Sequence, residues 1–323
     1  MSKPFIEVAA GLIMQPDGSL LLAQRPADKP WPGWWELPGG KIEPGETTLQ
    51  ALARELKEEL DIDVTVATPW VTYTHEYPKN IVRLAFCRVT GWEGEPTGVE
   101  GQQLSWVKLD GPLSVGPLLP ATEPPLRWIR LPDRYLLTSI GSNNELSNYL
   151  AKLTRALQDG LKLVQFREPG WNAESEQDVY TAFKQIVELC HEYGARCLIN
   201  SCHPEAWWTQ ADGVHLRAAD VRNLAAAGAA IKEKAPGLLA VSAHTVADLD
   251  AARTLDADFA VLGHVLSTPS HPGEPGMGWA QFASLITDAG LPVFAIGGQS
   301  AATLEAARQH GAHGIAGIRQ LLT

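Results

Sequence analysis

From Arg134 onward the chain repeats one rhythm, a short apolar run followed by a helix-like stretch, roughly every 20 to 30 residues. The runs fall at 135–138, 161–166, 196–200, 213–216, 238–242, 259–262, 292–296 and 314–318. Several are continuously apolar, as strands of a parallel sheet covered on both faces must be. Eight such strands in about 190 residues predict a closed (β/α)8 TIM barrel. An open doubly wound sheet is the alternative, but the count of eight and the polar residues that end successive strands favour the barrel.

Residues 5–110 follow a different grammar. Short β-like runs at 6–14, 20–23, 64–67, 70–77, 80–90 and 104–109 alternate with turn signals such as Pro16-Asp17-Gly18. They predict a mixed sheet flanked by one long helix, an α/β/α sandwich. A stretch at 111–132 then holds Pro112, Pro117, Pro120, Pro124, Pro125 and Pro132. So many prolines disfavour both helix and central strand, so this is read as a covering segment and linker. The expected domains are 1–132 and 133–323, each of ordinary size within 323 residues.

Composition narrows the class of function. Hydrophobic residues are 45% and charged residues 20%, values of a globular chain. A net charge of −11 argues against sequence-independent nucleic-acid binding and leaves room for a local nucleotide pocket. Cys87, Cys190, Cys197 and Cys202 form neither a Cys-x-x-Cys pair nor a zinc spacing, so reduced thiols are expected. Glu7 interrupts the place where a signal peptide needs apolar residues, and no apolar run is long enough to cross a membrane. The expectation is a cytoplasmic enzyme with no membrane partner.

The candidate chemistry of the first domain lies on the helix after Gly39-Gly40. At 100° per residue Glu55, Glu58 and Glu59 fall within about a 100° arc, beside an apolar stripe of Leu49, Leu52, Ala53, Leu56 and Leu60. Like charges so close repel, by a few tenths of a kcal/mol per pair, unless divalent cations sit among them. Magnesium suits such oxygens, with manganese as the alternative. Glu58 and Glu59 are the best ligand candidates, the Gly39 carbonyl could add a hard oxygen, and Glu55 is either a ligand or the group that polarises water. Arg54 is read as orienting the carboxylates.

Gly40, Glu46, Arg54, Glu55, Leu56, Glu58, Glu59 and Ile62 match the Nudix box, with Asp61 where a glycine is usual. A helix C-terminus lets Asp take the left-handed conformation, so the departure costs little. Residues 5–127 resemble the MutT branch of the Nudix hydrolases, on Gln24-Arg25-Pro26-Ala27-Asp28, Trp34 to Gly40, Trp92 to Pro96, Glu100-Gly101-Gln102, Trp106 and Pro120 to Pro124. The resemblance implies cleavage of oxidised purine nucleoside triphosphates to monophosphates. It implies that Arg25 approaches the phosphates, that Glu36, Leu37, Pro38 and Gly39 line the substrate site, and that Thr122 faces the base. Thr122 stands where Asn is usual and offers one short hydroxyl in place of an amide. Leu37 replaces an aromatic residue. Trp31, Trp34 and Trp35 are read first as packing residues, with base stacking as the sharper alternative.

In the second domain, a strand enters Gly297-Gly298, and Gly314 to Ile318 repeats the pattern at Gly317. Such strand-end glycines can hold a phosphate on backbone N–H groups. With Gln165-Phe166-Arg167-Glu168, Asn200, Asp212 to Leu216, Ser242-Ala243-His244 and Gly263-His264, residues 134–323 resemble thiamine phosphate synthase and the related thiazole tautomerase TenI. Pro169, Ser201, Arg217-Ala218 and His271 depart from the synthase pattern, removing cationic diphosphate contacts and one of two magnesium carboxylates; Asp220 retains the other. The tautomerase resemblance implies that His264 shuttles a proton. The readings carried forward are a nucleotide pyrophosphohydrolase with an appended barrel, hydrolysis of a thiamine-related diphosphate coupled to a thiazole phosphate tautomerase, and a barrel that only binds a phosphate ligand.

Overall fold

The computed structural model describes residues 3–171, 175–228, 231–235, 237–270 and 272–322. The chain forms two compact units, Met1–Leu131 and Pro132–Thr323. None of the described helices is long and apolar enough to cross a membrane.

The first unit contains two sheets. In one, β1 (Phe5–Ile13) runs parallel to β6 (Ile81–Glu93) and antiparallel to β4 (Gly39–Lys41), and β5 (Asp63–Glu76) lies antiparallel outside β6. In the other, β2 (Leu20–Gln24) separates β3 (Trp35–Glu36) from β7 (Leu104–Val107). Side chains alternate along β1. Ala9 and Ile13 pack with Leu52, Leu56 and Leu60 of α1 (Thr48–Leu60), whereas Ala10 and Leu12 pack with Trp35, Leu37, Phe86, Leu126 and Trp128 on the other face. The mixed sheet is thus sandwiched between α1 and α2 (Glu123–Trp128).

The ends of α1 follow from its residues. Thr47 and Gln50 form a reciprocal capping box at its start. At its end Asp61 adopts φ 53, ψ 37 and donates its amide to Lys57 O, the left-handed cap expected of that position.

Three expectations need correction. Runs 64–67 and 70–77 are one strand, β5, whose register shifts between Val64 and Ala67 and again between Pro69 and Thr72. The proline is absorbed at an irregularity on an edge strand, where no ladder donor is lost. The short strands β3 and β4 form between the run at 20–23 and α1, where the sequence predicts no strand. The proline-rich stretch does hold a helix: Pro124 and Pro125 stand in the first turn of α2, where N–H groups have no intrahelical acceptor, and Pro125, Leu126 and Trp128 are buried.

The second unit is a closed parallel barrel of eight strands, each paired to the next and the last to the first. They are β8 (Arg134–Leu137), β9 (Leu163–Phe166), β10 (Arg196–Asn200), β11 (Gly213–Leu216), β12 (Leu238–Ala243), β13 (Phe259–Gly263), β14 (Val293–Ile296) and β15 (Gly314–Gly317). Each lies within two residues of its expected position. Leu136, Val164, Ile199, Val214 and Leu216 point outward to the helical layer. Alternate positions fill the lumen, where Tyr135, Phe259 and Phe294 from three strands meet at 5.0 to 6.0 Å between ring centres.

Candidate active sites

In the first unit Arg54 gathers the acids. Its Nε and Nη2 donate to the two Glu46 oxygens at 2.8 and 2.9 Å, Nη1 donates to Glu55 Oε1 at 2.9 Å, and Nη2 also reaches Lys41 O at 3.0 Å. Glu58 lies 3.5 Å from Nη1, with its side chain largely in solvent. Hydrogen bonds from Arg54, and then from the Glu43 amide, bring the Glu46 carboxyl down to about 2.

Glu55 and Glu59 turn toward the two glycines. A Cβ on Gly40 would lie 2.2 Å from the Glu55 carboxyl, so only glycine leaves room for that carboxylate. The Gly39 amide donates to Glu59 Oε2 at 3.2 Å; its N–H, rather than its carbonyl, is what contacts Glu59. Burial pushes the Glu59 carboxyl up to about 7; Glu36, Glu100 and Glu55 add to the rise, and the Gly39 bond opposes it. The Glu59 carboxyl thus sits among other acids, and hard oxygen donors fit a magnesium or manganese ion. Among the described residues no three acidic, histidine or cysteine side chains already converge as a metal cage.

A second group lies around Arg25. Its Nη1 donates to both Glu36 oxygens at 2.6 Å and its Nε to Pro30 O at 2.6 Å, so the guanidinium expected to meet phosphate is held by a carboxylate. Burial raises the Glu36 pKa and Arg25 lowers it, with a net rise. Leu37 is buried in the core, and Pro38 O accepts the Gly11 amide at 2.8 Å. Thr122 is buried in the turn before α2. The tryptophans separate: Trp35 packs in the core, while Trp31, at φ 63, is 40% exposed and meets Trp34 edge-on at 4.8 Å. The Tyr77 ring, next to a Pro-Lys-Asn turn, lies 6.4 Å from that of Trp31.

In the barrel a cavity of about 540 Å³ opens at the carboxyl ends of the strands. His264, Gly297, Gly298 and Gly317 all line it, with Arg167, Ser242, His244 and Arg319. Gly297 has φ 97, and a Cβ there would lie 2.4 Å from that of His264. His264 Nε2 lies 3.2 Å from Pro275 O. A buried polar chain leads to this cavity. Asn200 donates to Gln165 at 2.8 Å and Gln165 to the Tyr135 oxygen at 2.8 Å; Tyr135 lies 3.1 Å from His215 Nδ1, and His215 Nε2 lies 2.9 Å from Ser242 Oγ. Burial, with Arg167 nearby, takes the His215 pKa down to about 3, so the ring is neutral. It therefore accepts the Tyr135 hydrogen and donates to Ser242.

The magnesium position of the synthase pattern does not fit a metal here. Asp220 accepts Ser201 Oγ at 2.6 Å and Arg217 Nε and Nη2 at 2.8 and 3.2 Å, so a guanidinium fills its coordination. His271 lies outside the described residues.

Known proteins share both units. Residues 4–129 match the family profile "NUDIX domain", and residues 135–321, more than half of the chain, match "Thiamine monophosphate synthase". The 8-oxo-dGTP diphosphatase of Proteus vulgaris is 44% identical over 101 residues, 31% of this chain and 90% of that protein. The CTP pyrophosphohydrolase of Escherichia coli (strain K12) is 42% identical over 119 residues, 37% of this chain and 87% of that protein. The thiamine-phosphate synthase of Synechococcus sp. (strain WH7803) is 31% identical over 192 residues, 58% of this chain and 51% of that protein. The chain is a hydrolase of the Nudix family through its first unit, and through its second it belongs to the thiamine monophosphate synthase family.

Proposed function

We propose that the first unit is a magnesium- or manganese-dependent nucleoside triphosphate pyrophosphohydrolase. It takes oxidised guanine nucleotides, 8-oxo-dGTP foremost, to the monophosphate and diphosphate, and so cleans the cytoplasmic nucleotide pool before DNA replication. The observation that carries this reading is the pair of carboxylates, Glu55 and Glu59, held against Gly39-Gly40 while Arg54 fixes Glu46 and Glu55. Glu55, Glu58 and Glu59 would hold the ion, which supplies charge for the diphosphate and an activated water. Arg54 keeps the acids in register. Arg25, Glu36, Leu37, Pro38, Gly39 and Thr122 are assigned to the substrate. The names of the relatives support the nucleoside triphosphate class more firmly than any one base, since one is an 8-oxo-dGTP diphosphatase and another a CTP pyrophosphohydrolase.

The test is a substrate panel with the intact chain: 8-oxo-dGTP, dGTP, CTP and thiamine diphosphate, with and without Mg2+. Diphosphate release should depend on the metal and be fastest on 8-oxo-dGTP, and Glu59→Gln should lower kcat about 100-fold or more. Equal rates on 8-oxo-dGTP and dGTP would remove the specificity claim. Fastest turnover of thiamine diphosphate would move the site to the thiamine-linked reading.

For the barrel we infer a site for a small phosphate ester, of thiazole phosphate type, seated on Gly297, Gly298 and Gly317. His264 lines the same cavity, which favours a proton-shuttling tautomerase over a passive binding role. A His264→Ala chain that isomerises a thiazole carboxylate phosphate as fast as the parent would leave only the binding role.

A further inference from the structure

Two arginines line the barrel cavity, and neither guanidinium is tied to the fold. Arg167 follows β9 and Arg319 follows β15, with β8 between those strands. Neither guanidinium makes a hydrogen bond or an ion pair among the described residues. No aspartate or glutamate lines the cavity among those residues, although the chain as a whole carries a net charge of −11. A pocket that keeps two arginines and leaves out the acids of an acidic chain suits an anion.

The backbone beside Arg319 has the same preference. Gly297, at φ 97, and Gly298, at φ 65, turn the chain after β14. The amides of Gly298, Gln299, Ile318 and Arg319 donate to no acceptor among the described residues, and all four residues line the cavity. These are the loops after the seventh and eighth barrel strands. Amide donors alone satisfy any oxygen, charged or neutral. A guanidinium adds a full positive charge and a planar fork of N–H groups that matches a phosphate. Arg319 stands two residues beyond Gly317 and is exposed at the mouth, whereas Arg167 is half-buried and faces another part of the ligand.

We propose that Arg319 is a specificity-determining residue of the barrel. Its guanidinium pairs with the phosphate seated on Gly297, Gly298 and Gly317, and it selects phosphorylated ligands over the corresponding free alcohols. The proposal rests on the phosphate-ester reading of the barrel.

The test is calorimetric titration of the intact chain with a hydroxyethylthiazole phosphate monoester and with the same alcohol lacking the phosphate. EDTA is present, so that no divalent ion bridges the phosphate. Arg319→Gln should weaken binding of the monoester about 10-fold and leave that of the alcohol unchanged. Arg319→Lys keeps the charge without the fork and should lose less. The Tm of both variants should match that of the parent, because the side chain is exposed and no native bond is removed. An Arg319→Gln chain that binds the monoester as tightly as the parent would overturn the proposal while leaving the phosphate-ester reading intact. An equal loss on monoester and alcohol, with a lower Tm, would make Arg319 a structural residue of the cavity mouth and overturn it as well. A parent chain that binds the monoester no more tightly than the alcohol would overturn both.

Discussion

Gly39 and Gly40 are neighbours with different reasons to lack a side chain, and the difference separates fold from chemistry at single-residue scale. Gly39 has φ 142, and a Cβ there would lie 2.1 Å from Ala9 O, a backbone atom that cannot move alone. Gly39→Ala should therefore destabilise the first unit by about 2 kcal/mol or more, read by urea unfolding. For Gly40→Ala the three atoms nearest the new Cβ all belong to the Glu55 carboxyl, the far end of a flexible side chain. Its stability should stay within about 1 kcal/mol of the parent while kcat falls about 100-fold, since a displaced catalytic group costs that much. If both variants lose stability equally, Gly40 is a fold residue and the Glu55 assignment weakens. The acids of α1 could be read from their spacing because a helix converts sequence interval directly into angle. The hold of Glu36 on Arg25 could not, because the two residues are brought together only by the pairing of β2 with β3.

At the scale of elements, helices and barrel strands were legible where one period ran uninterrupted, as in α1 and in the eight runs that became β8 to β15. The errors fell where a tertiary partner overrode local preference. Two residues of β3 and three of β4 carry no period of their own; pairing to β2 and β1 makes them strands. The helix α2 forms among prolines because Leu126 and Trp128 gain burial against the sheet, with the Trp128 ring 6.4 Å from Trp70 and 5.7 Å from Tyr73. Packing, and not propensity, is then what holds α2. Trp128→Ala should cost about 3–5 kcal/mol in the unfolding of the first unit. By contrast Thr47→Ala, which removes one side of the α1 capping box, should cost only about 1 kcal/mol. A Trp128→Ala chain as stable as the Thr47→Ala chain would show that α2 only covers the sheet.

For the molecule as a whole, two compact units predict separable losses, and the barrel adds a pH dependence of its own. His215 in its lumen is buried, and burial takes its pKa down to about 3 from the ordinary 6.5; His203, also held by burial, falls to about 4. An unfolded chain would take up protons at both positions as pH drops through about 6.5, whereas the folded barrel resists until pH reaches those lower values. The unfolded state therefore binds more protons in this window, and stability falls with acidification. It is fully present above about pH 6.5 and decreases by about 1.4 kcal/mol per pH unit for each histidine. Unfolding of the intact chain in urea at about pH 7 and about pH 5 reads the total slope. Carboxylates held low, such as Asp220 beside Arg217, act in the same direction, so the slope alone does not isolate the histidine. His215→Gln keeps a neutral polar side chain in the lumen and removes one titration. Its slope should be shallower than that of the parent by about one proton, even if the variant is less stable at every pH. Equal slopes would mean that His215 can be protonated within the fold, and the directed chain from Asn200 to Ser242 would then have no fixed sense.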